Sequence, residues 1–407
     1  MRSEDYIAEA EKYVAKTYGR YPLVPVRGED TRIWDADGKE YTDFVAGLAV
    51  VNLGHCHPKV VDAIREQAGK LMHTSNLYHI PPQIELAKRL VESSFADKAF
   101  FCNSGAEANE AAIKLARKYS HDKYGEGRGE ILTMLNSFHG RTLATLAATG
   151  QEKFRKGFYP PSPGFVHAPF DDLAAAEAAV SEATCAILVE PIQGEGGVHV
   201  PGEGYLAGLR RICDERDLLL IYDEVQTGMG RTGALFAYQH EGVEPDAMTL
   251  AKSLAGGTAI GALLAKEPFI SALGPGTHAS TFGGNFLATA AGVAAMDVLA
   301  EGTLLENCRK MGAYFQSGLR TLQESHPCIR EVRGRGLLLG AELDHDGGGY
   351  VLKAMERGYL INCTMGNVLR FLPPLTITQK DIDGLLAVLD EILPGPGPRE
   401  TRKEGGR

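Results

Sequence analysis

The chain has 407 residues, 44% of them hydrophobic and 23% charged, which is ordinary globular usage and enough for two domains or one large domain with a lobe. Its net charge of −10 argues against nonspecific nucleic-acid binding, no apolar run approaches the roughly 20 residues that span a bilayer, and Met1–Tyr6 has acidic residues where a signal peptide is expected to carry a basic and then an apolar stretch. Seven scattered cysteines without a CxxC pair predict free thiols in a reducing, cytoplasmic setting.

In chain order, turn signals at Gly28-Glu29-Asp30 and Asp35-Ala36-Asp37-Gly38 separate the short runs Arg32–Trp34 and Glu40–Phe44, which predicts a small antiparallel meander. Helical periodicity follows over Pro58–Met72 and Pro82–Ser93. From about Ala99 short apolar runs (Ala99–Cys102, Ile131–Met134, Ala186–Val189, Leu218–Ile221) alternate with helices such as Glu107–Ser120 and Tyr205–Arg216. Strands apolar on both faces and linked by helices predict an α/β fold with a doubly wound, mostly parallel sheet, whose ligands bind beyond the strand carboxyl ends. After about Ala300 the pattern becomes α+β, with strands at Glu331–Arg333, Leu337–Glu342 and Leu369–Phe371.

Polar motifs fall at the ends of these runs. Leu218–Tyr222 ends in Asp223-Glu224-Val225-Gln226, and Ala247–Ala251 delivers Lys252 29 positions later. A desolvated lysine is a candidate Schiff-base nucleophile and a nearby carboxylate a candidate partner for a pyridinium nitrogen; a structural ion pair between two strand ends gives the same pattern. Asn103-Ser104-Gly105-Ala106-Glu107 joins a strand to a helix and suits a phosphate, or is a plain helix cap. Phe138 and Arg141, in Asn136–Thr142, are a candidate ring-stacking side chain and a candidate carboxylate clamp, or parts of a surface loop. Glu190 and Glu195, both within the glycine-bearing segment Glu190–Gly197, are candidates for gating a pocket by charge, Ser280 and Thr281 lie beside Gly283-Gly284, and Arg370 ends a strand. His55-Cys56-His57 is contiguous and has no partner cluster at ligand spacing, so no metal is expected.

Taken together, the segments Asn52–Pro58, His73–Tyr78, Phe101–Glu110 and Asp223–Arg231 resemble those of the class-III aminotransferases, in the family's order and over about Tyr18 to Leu393. The resemblance implies the type-I pyridoxal-phosphate transferase fold, with a small domain from both chain ends (1–57 and 300–393) and a large cofactor-binding domain (58–299); the Pro/Gly-rich, charged composition of 394–407 predicts a disordered tail. It implies pyridoxal 5'-phosphate as cofactor, with Lys252 as the Schiff-base and proton-transfer residue and Asp223 on the pyridine nitrogen. Ser104, Gly105 and Ala106 would hold the phosphate, Phe138, His139 and Val225 would surround the ring, Gln226 would touch its phenolic oxygen, and Thr281 would come from the partner subunit of a homodimer. Arg141, with Ser280 across the interface, would bind the donor carboxylate. Arg370 would bind 2-oxoglutarate, and Glu195 would pair with Arg370 while the donor is bound.

Within the family the chain is most similar to members acting on N2-acetylornithine, a step of arginine biosynthesis. Leu48 stands where ornithine-specific members have a tyrosine, which favours an acylated donor over free ornithine. Succinylornithine, ornithine, acetyl-lysine, diaminopimelate and 4-aminobutyrate remain alternative donors. An aminomutase of the same fold and a noncatalytic cofactor-binding scaffold are the competing classes.

Overall fold

The structure, a computed structural model, describes residues 1–395. All but Pro394 and Gly395 of the tail expected to be disordered thus lies outside the described residues. The meander forms as its turn signals predict: β1 (Pro25–Glu29), β2 (Arg32–Asp35) and β3 (Glu40–Asp43) pair antiparallel in sequence.

The central sheet contains β4 (Lys98–Cys102), β5 (Glu130–Met134), β6 (Phe165–Ala168), β7 (Thr184–Val189), β8 (Leu219–Asp223), β9 (Ala247–Leu250) and β10 (Gly261–Ala265). Their order across the sheet is β4-β10-β9-β8-β7-β5-β6. Pairing is parallel from β9 through β8, β7 and β5 to β6, whereas β10 runs antiparallel to both of its neighbours. Every residue of β7, β8, β9 and β10 is buried, which is why these strands read as unbroken apolar runs rather than as alternation. Successive side chains feed two separate cores. Ile131, Leu188, Ile221 and Leu263 pack with the alanine-rich face of the helix Gly105–Tyr124. Their neighbours Leu132, Ile187, Leu220 and Leu264 join the larger core on the other side.

The C-terminal part adds β11 (Ile329–Arg335), β12 (Leu338–Leu343), β13 (Tyr359–Leu360), β14 (Asn362–Thr364) and β15 (Val368–Phe371). β11, β12, β15 and β14 form an antiparallel sheet in that order, so β14 is an edge strand. β13 leaves it and pairs parallel with β3, joining the two chain ends in one sheet.

The helix Ser3–Tyr13, β1, β6 and β10 are among the elements that no sequence pattern above marks. β6 is a four-residue edge strand containing a histidine, and β10 starts at Gly261 just after a glycine-rich loop. The second apolar run also differs from expectation at its end. β9 stops at Leu250, and Lys252 opens a 3-10 turn with φ +43°, a left-handed conformation that is uncommon outside glycine and costly without compensating contacts.

Candidate active site

The carboxyl ends of β4, β5, β7, β8 and β9 open onto one cavity of about 430 Å³, within the range of roughly 300–1,000 Å³ seen for small-molecule sites. Ser104, Gly105, Ala106, Phe138, His139, Arg141, Glu195, Asp223, Val225, Gln226 and Lys252 all line it. These segments stand tens to a hundred or more residues apart in the chain, and the parallel sheet brings them together because each lies just past a strand end.

Asp223, the last residue of β8, is buried and held by three donors. The side-chain amide of Asn109 donates to its Oδ2 at 2.7 Å, His139 Nδ1 is bonded to the same oxygen at 2.8 Å, and the Val225 N–H donates to Oδ1 at 3.0 Å. A carboxylate is an acceptor only, so His139 Nδ1 carries the proton in this bond. Asn109 is fixed in turn: its amide also donates to the His139 carbonyl, and its Oδ1 accepts from Thr249 Oγ1, both at 2.8 Å. His139 Nε2 is buried without a partner among the described residues.

Lys252 faces the same cavity. Burial lowers its pKa, the Arg370 charge pushes the same way, and Glu195, Asp223 and Glu190 pull against both. Glu190, just past β7, has its carboxyl pushed up to about 7 by burial, with Asp223 adding to the rise, against the opposing pull of His139 and of the Phe138 and Gly194 N–H groups. Its two oxygens accept from those N–H groups at 3.0 and 3.3 Å, which fixes the loops bearing Phe138 and Glu195.

Behind Glu195, on the side of the C-terminal sheet, Arg370 of β15 donates through Nη1 to Glu195 Oε1 at 2.8 Å. Gln226 donates to that same oxygen at 3.3 Å. Burial alone would raise the Glu195 pKa, but Arg370 and Lys252 outweigh it and hold the carboxyl down at about 2. Arg141 has no carboxylate partner among the described residues. Its guanidinium lies 3.9 Å from the ring centroid of Phe154 and 5.4 Å from that of Phe138, a cation–π arrangement that leaves its N–H fork free for an anion.

Ser104 caps the helix Gly105–Tyr124: its Oγ accepts from the Glu107 N–H at 3.2 Å and donates to the Glu107 carboxylate at 2.9 Å. The capping role and the approach of a helix N-terminus to the cavity thus coexist, and that terminus carries the partial positive charge an anion needs. Leu48, Ser280, Thr281 and Arg370 do not line the cavity within one chain; Arg370 stands behind Glu195, which does. Ser280 Oγ instead accepts from Asn103 and from the Gly283 N–H, at 3.1 and 3.0 Å. Leu48 is 39% exposed and sits in a left-handed turn, Ala46–Ala49, whose φ angles run from 49° to 65°. Such a turn costs roughly 1–2 kcal/mol per non-glycine residue. It is tied to the lysine loop by Ser253 Oγ, which donates to the Ala49 carbonyl at 2.6 Å, and Val50 is the residue it delivers to the cavity wall.

The site fits pyridoxal phosphate on its own chemistry. It presents a buried carboxylate, a lysine amine, an aromatic side chain, a helix N-terminus and an unpartnered buried imidazole nitrogen around one cavity. Glycines keep the floor close: a Cβ on Gly105 would come within 2.8 Å of Val225, and one on Gly194 within 2.0 Å of Gln226.

Sequence and structure comparisons agree with this geometry. The chain is 55% identical to the acetylornithine aminotransferase of Caldanaerobacter subterraneus over 95% of its length and 98% of that protein's. It is 53% identical to the acetylornithine aminotransferase of Methanocaldococcus jannaschii over 96% and 98%. Among solved structures, the ornithine aminotransferase of Toxoplasma gondii superposes with a TM-score of 0.92 at 37% identity, covering 96% of this chain and 94% of that one. The acetylornithine aminotransferase of Elizabethkingia anophelis gives 0.86 at 38%, over 96% and 98%. The family model for aminotransferase class-III matches residues 13–393, and the chain therefore belongs to the class-III aminotransferases, pyridoxal-phosphate-dependent transaminases of the type-I fold.

Proposed function

We propose that the chain moves the terminal amine of N2-acetyl-L-ornithine to 2-oxoglutarate, giving N-acetyl-L-glutamate 5-semialdehyde and L-glutamate in arginine biosynthesis. The observation that carries this reading is the similarity over nearly the whole chain to relatives of that name, 53–55% identical in the two cases above. The Glu195–Arg370 pair supports the dicarboxylate half of it, because an arginine already matched by a movable carboxylate can exchange that partner for a substrate's.

Bound there, pyridoxal phosphate supplies an aldehyde that condenses with amines and a protonated ring that draws electrons from the substrate carbon. Lys252, its pKa lowered by burial, presents an amine able to lose its proton; the free amine would then take a proton from the substrate carbon and return it at the opposite end of the reacting system. Asp223, held by Asn109, His139 and Val225, keeps a proton on the ring nitrogen. Ser104, Gly105 and Ala106 hold the phosphate at the helix N-terminus. Phe138, Val225 and His139 confine the ring, and Gln226 meets its phenolic oxygen. Arg141 takes the α-carboxylate of the acylated donor by a two-pronged hydrogen bond. Arg370 takes the α-carboxylate of 2-oxoglutarate after Glu195 moves aside.

We further propose a homodimer with Ser280 and Thr281 reaching the partner's site. Thr281 is exposed and sits beside an apolar surface of Met72, Leu77, Tyr78 and Phe282, each more than half exposed, a grouping that marks an interaction surface. Asn76 pins the two loops of this surface together by donating to the Ser280 and Gly283 carbonyls. The small domain is read as 1–57 with 300–393 around a large domain of 58–299, and β13 pairing with β3 supports that division. No single helix is long and apolar enough to cross a membrane among the described residues, and the acidic chain with its seven free cysteines suits the cytoplasm.

Ornithine is the competing donor, favoured by the superposition on the Toxoplasma gondii enzyme. A panel of acetylornithine, succinylornithine, ornithine, acetyl-lysine and 4-aminobutyrate at fixed 2-oxoglutarate, read by glutamate formed, tests the reading. Acetylornithine should give the highest kcat/KM, and a higher value for any other donor would overturn the assignment.

A further inference from the structure

We propose that Asn362 and Thr364, on the edge strand β14, are positioning residues that hold Arg370 and the Glu195 backbone still, so that only the Glu195 side chain moves when donor gives way to acceptor. The inference rests on Arg370 being the site for the acceptor carboxylate.

Asn362 lies directly across the ladder from Arg370. Its single carbonyl oxygen accepts from Arg370 Nε at 3.1 Å and from Nη2 at 2.8 Å. Two donors converging on one acceptor fix the plane of a guanidinium. A neutral amide does so without cancelling its charge. What remains is Nη1, which points at Glu195 Oε1 at 2.8 Å and at Gln226 Oε1 at 3.5 Å. The arginine is therefore held from behind and presents one corner to Glu195 and Gln226, which line the cavity.

Thr364 is two residues further along β14 and so on the same face as Asn362. Its hydroxyl donates to the Glu195 carbonyl at 2.6 Å, which anchors the glutamate's main chain to the strand that grips the arginine. The two members of the pair differ in freedom. The Arg370 side chain is 1% exposed and that of Glu195 25%. The polar contacts of the Glu195 carboxylate, to Arg370 and to Gln226, both fall on Oε1. One side-chain rotation breaks both at once, and an incoming carboxylate can remake them on a guanidinium that has not shifted. A carboxylate in place of Asn362 would be a permanent competitor for the same charge.

The test uses the purified holoenzyme, with each half-reaction followed separately and with calorimetric binding of glutarate, an unreactive dicarboxylate. Asn362→Ala should raise KM for 2-oxoglutarate and Kd for glutarate by about tenfold through loss of the two hydrogen bonds. Asn362→Asp, nearly isosteric, should raise both by a larger factor, while KM for the amine donor changes less than threefold in either variant. Glutarate binding within twofold of wild type in both variants, or an equal loss in the donor and acceptor half-reactions, would overturn the proposal. Arg370→Lys separates the two layers of the argument. If it weakens glutarate binding and the Asn362 variants do not, the positioning role alone is wrong. If Arg370→Lys also leaves glutarate binding intact, the acceptor-site reading falls and this inference with it.

Discussion

The two walls of the cavity are built on opposite plans. Asp223 and Lys252 stand at the ends of neighbouring strands of the central sheet, and Asp223 is held by three separate N–H donors, one of them from a side chain that is itself fixed by Thr249. Glu195 and Arg370 come from a strand-to-helix loop and from a different sheet, and the direct contact between them is one ion pair whose carboxylate is a quarter exposed. A buried network with three donors on one carboxylate resists exchange because breaking any of those bonds leaves a polar group unpaired away from water. A single partly open pair exchanges readily because an incoming carboxylate replaces what it displaces. The first wall suits chemistry common to both half-reactions, and the second suits the choice between two substrates.

The sharpest test of the first wall is Lys252→Ala. Turnover should fall by about 10³-fold or more, since nucleophile and proton carrier are lost together. Borohydride treatment of the wild-type holoenzyme followed by peptide mass mapping should find the cofactor attached at Lys252; attachment at any other residue would move the chemistry to another wall.

A smaller effect on the same wall separates it from its counterpart. Asn109→Ala removes one charge-assisted hydrogen bond from Asp223, in the range of about 1.5–3 kcal/mol, and should slow both half-reactions by roughly 10–100-fold to the same degree. Rates of the two half-reactions measured by stopped flow decide the point. A loss confined to one of them would mean that Asn109 serves substrate choice and that the division between the walls is misplaced.

The unequal legibility of the two walls in the sequence has the same origin. Lys252, Asp223, Ser104 and Phe138 each follow an apolar run or its turn, so a local pattern marks them and the parallel sheet gathers them. Glu190 stands in the same position after β7, yet its bonds to Phe138 and Gly194 appear only in three dimensions. Asn109 sits inside a helix and its partner Asp223 is 114 residues away. Nothing local distinguishes it from a solvated amide. Asn362 is harder still, because its role depends on register across β14 and β15, and such pairing is set by the tertiary fold. The antiparallel β10 is hidden for a related reason: Gly261–Ala265 carries small and apolar residues whose strand direction only its neighbours β4 and β9 decide. Leu48 shows the converse. A residue difference pointed to it, but within one chain its side chain is exposed and away from the cavity, and Val50 lines the wall instead.

The mildest test bears on the second wall. Glu195→Gln removes the anion from Arg370 but keeps the shape, so 2-oxoglutarate no longer has to displace a charge; its KM should fall about 3–10-fold, while KM for the amine donor rises because the guanidinium now faces the donor unmatched. The effect should not vary with pH over the working range. The folded-state pKa of Glu195 is depressed to about 2, so the stabilising charge is fully present above the ordinary carboxylate value and is lost only as pH falls toward 2. Between pH 6 and 9 the ratio of the two KM values in wild type and variant should therefore differ by a constant factor. A ratio that converges at either end of that window would show that the exchange is driven by a titrating group and not by the rotation of a carboxylate that stays ionised throughout.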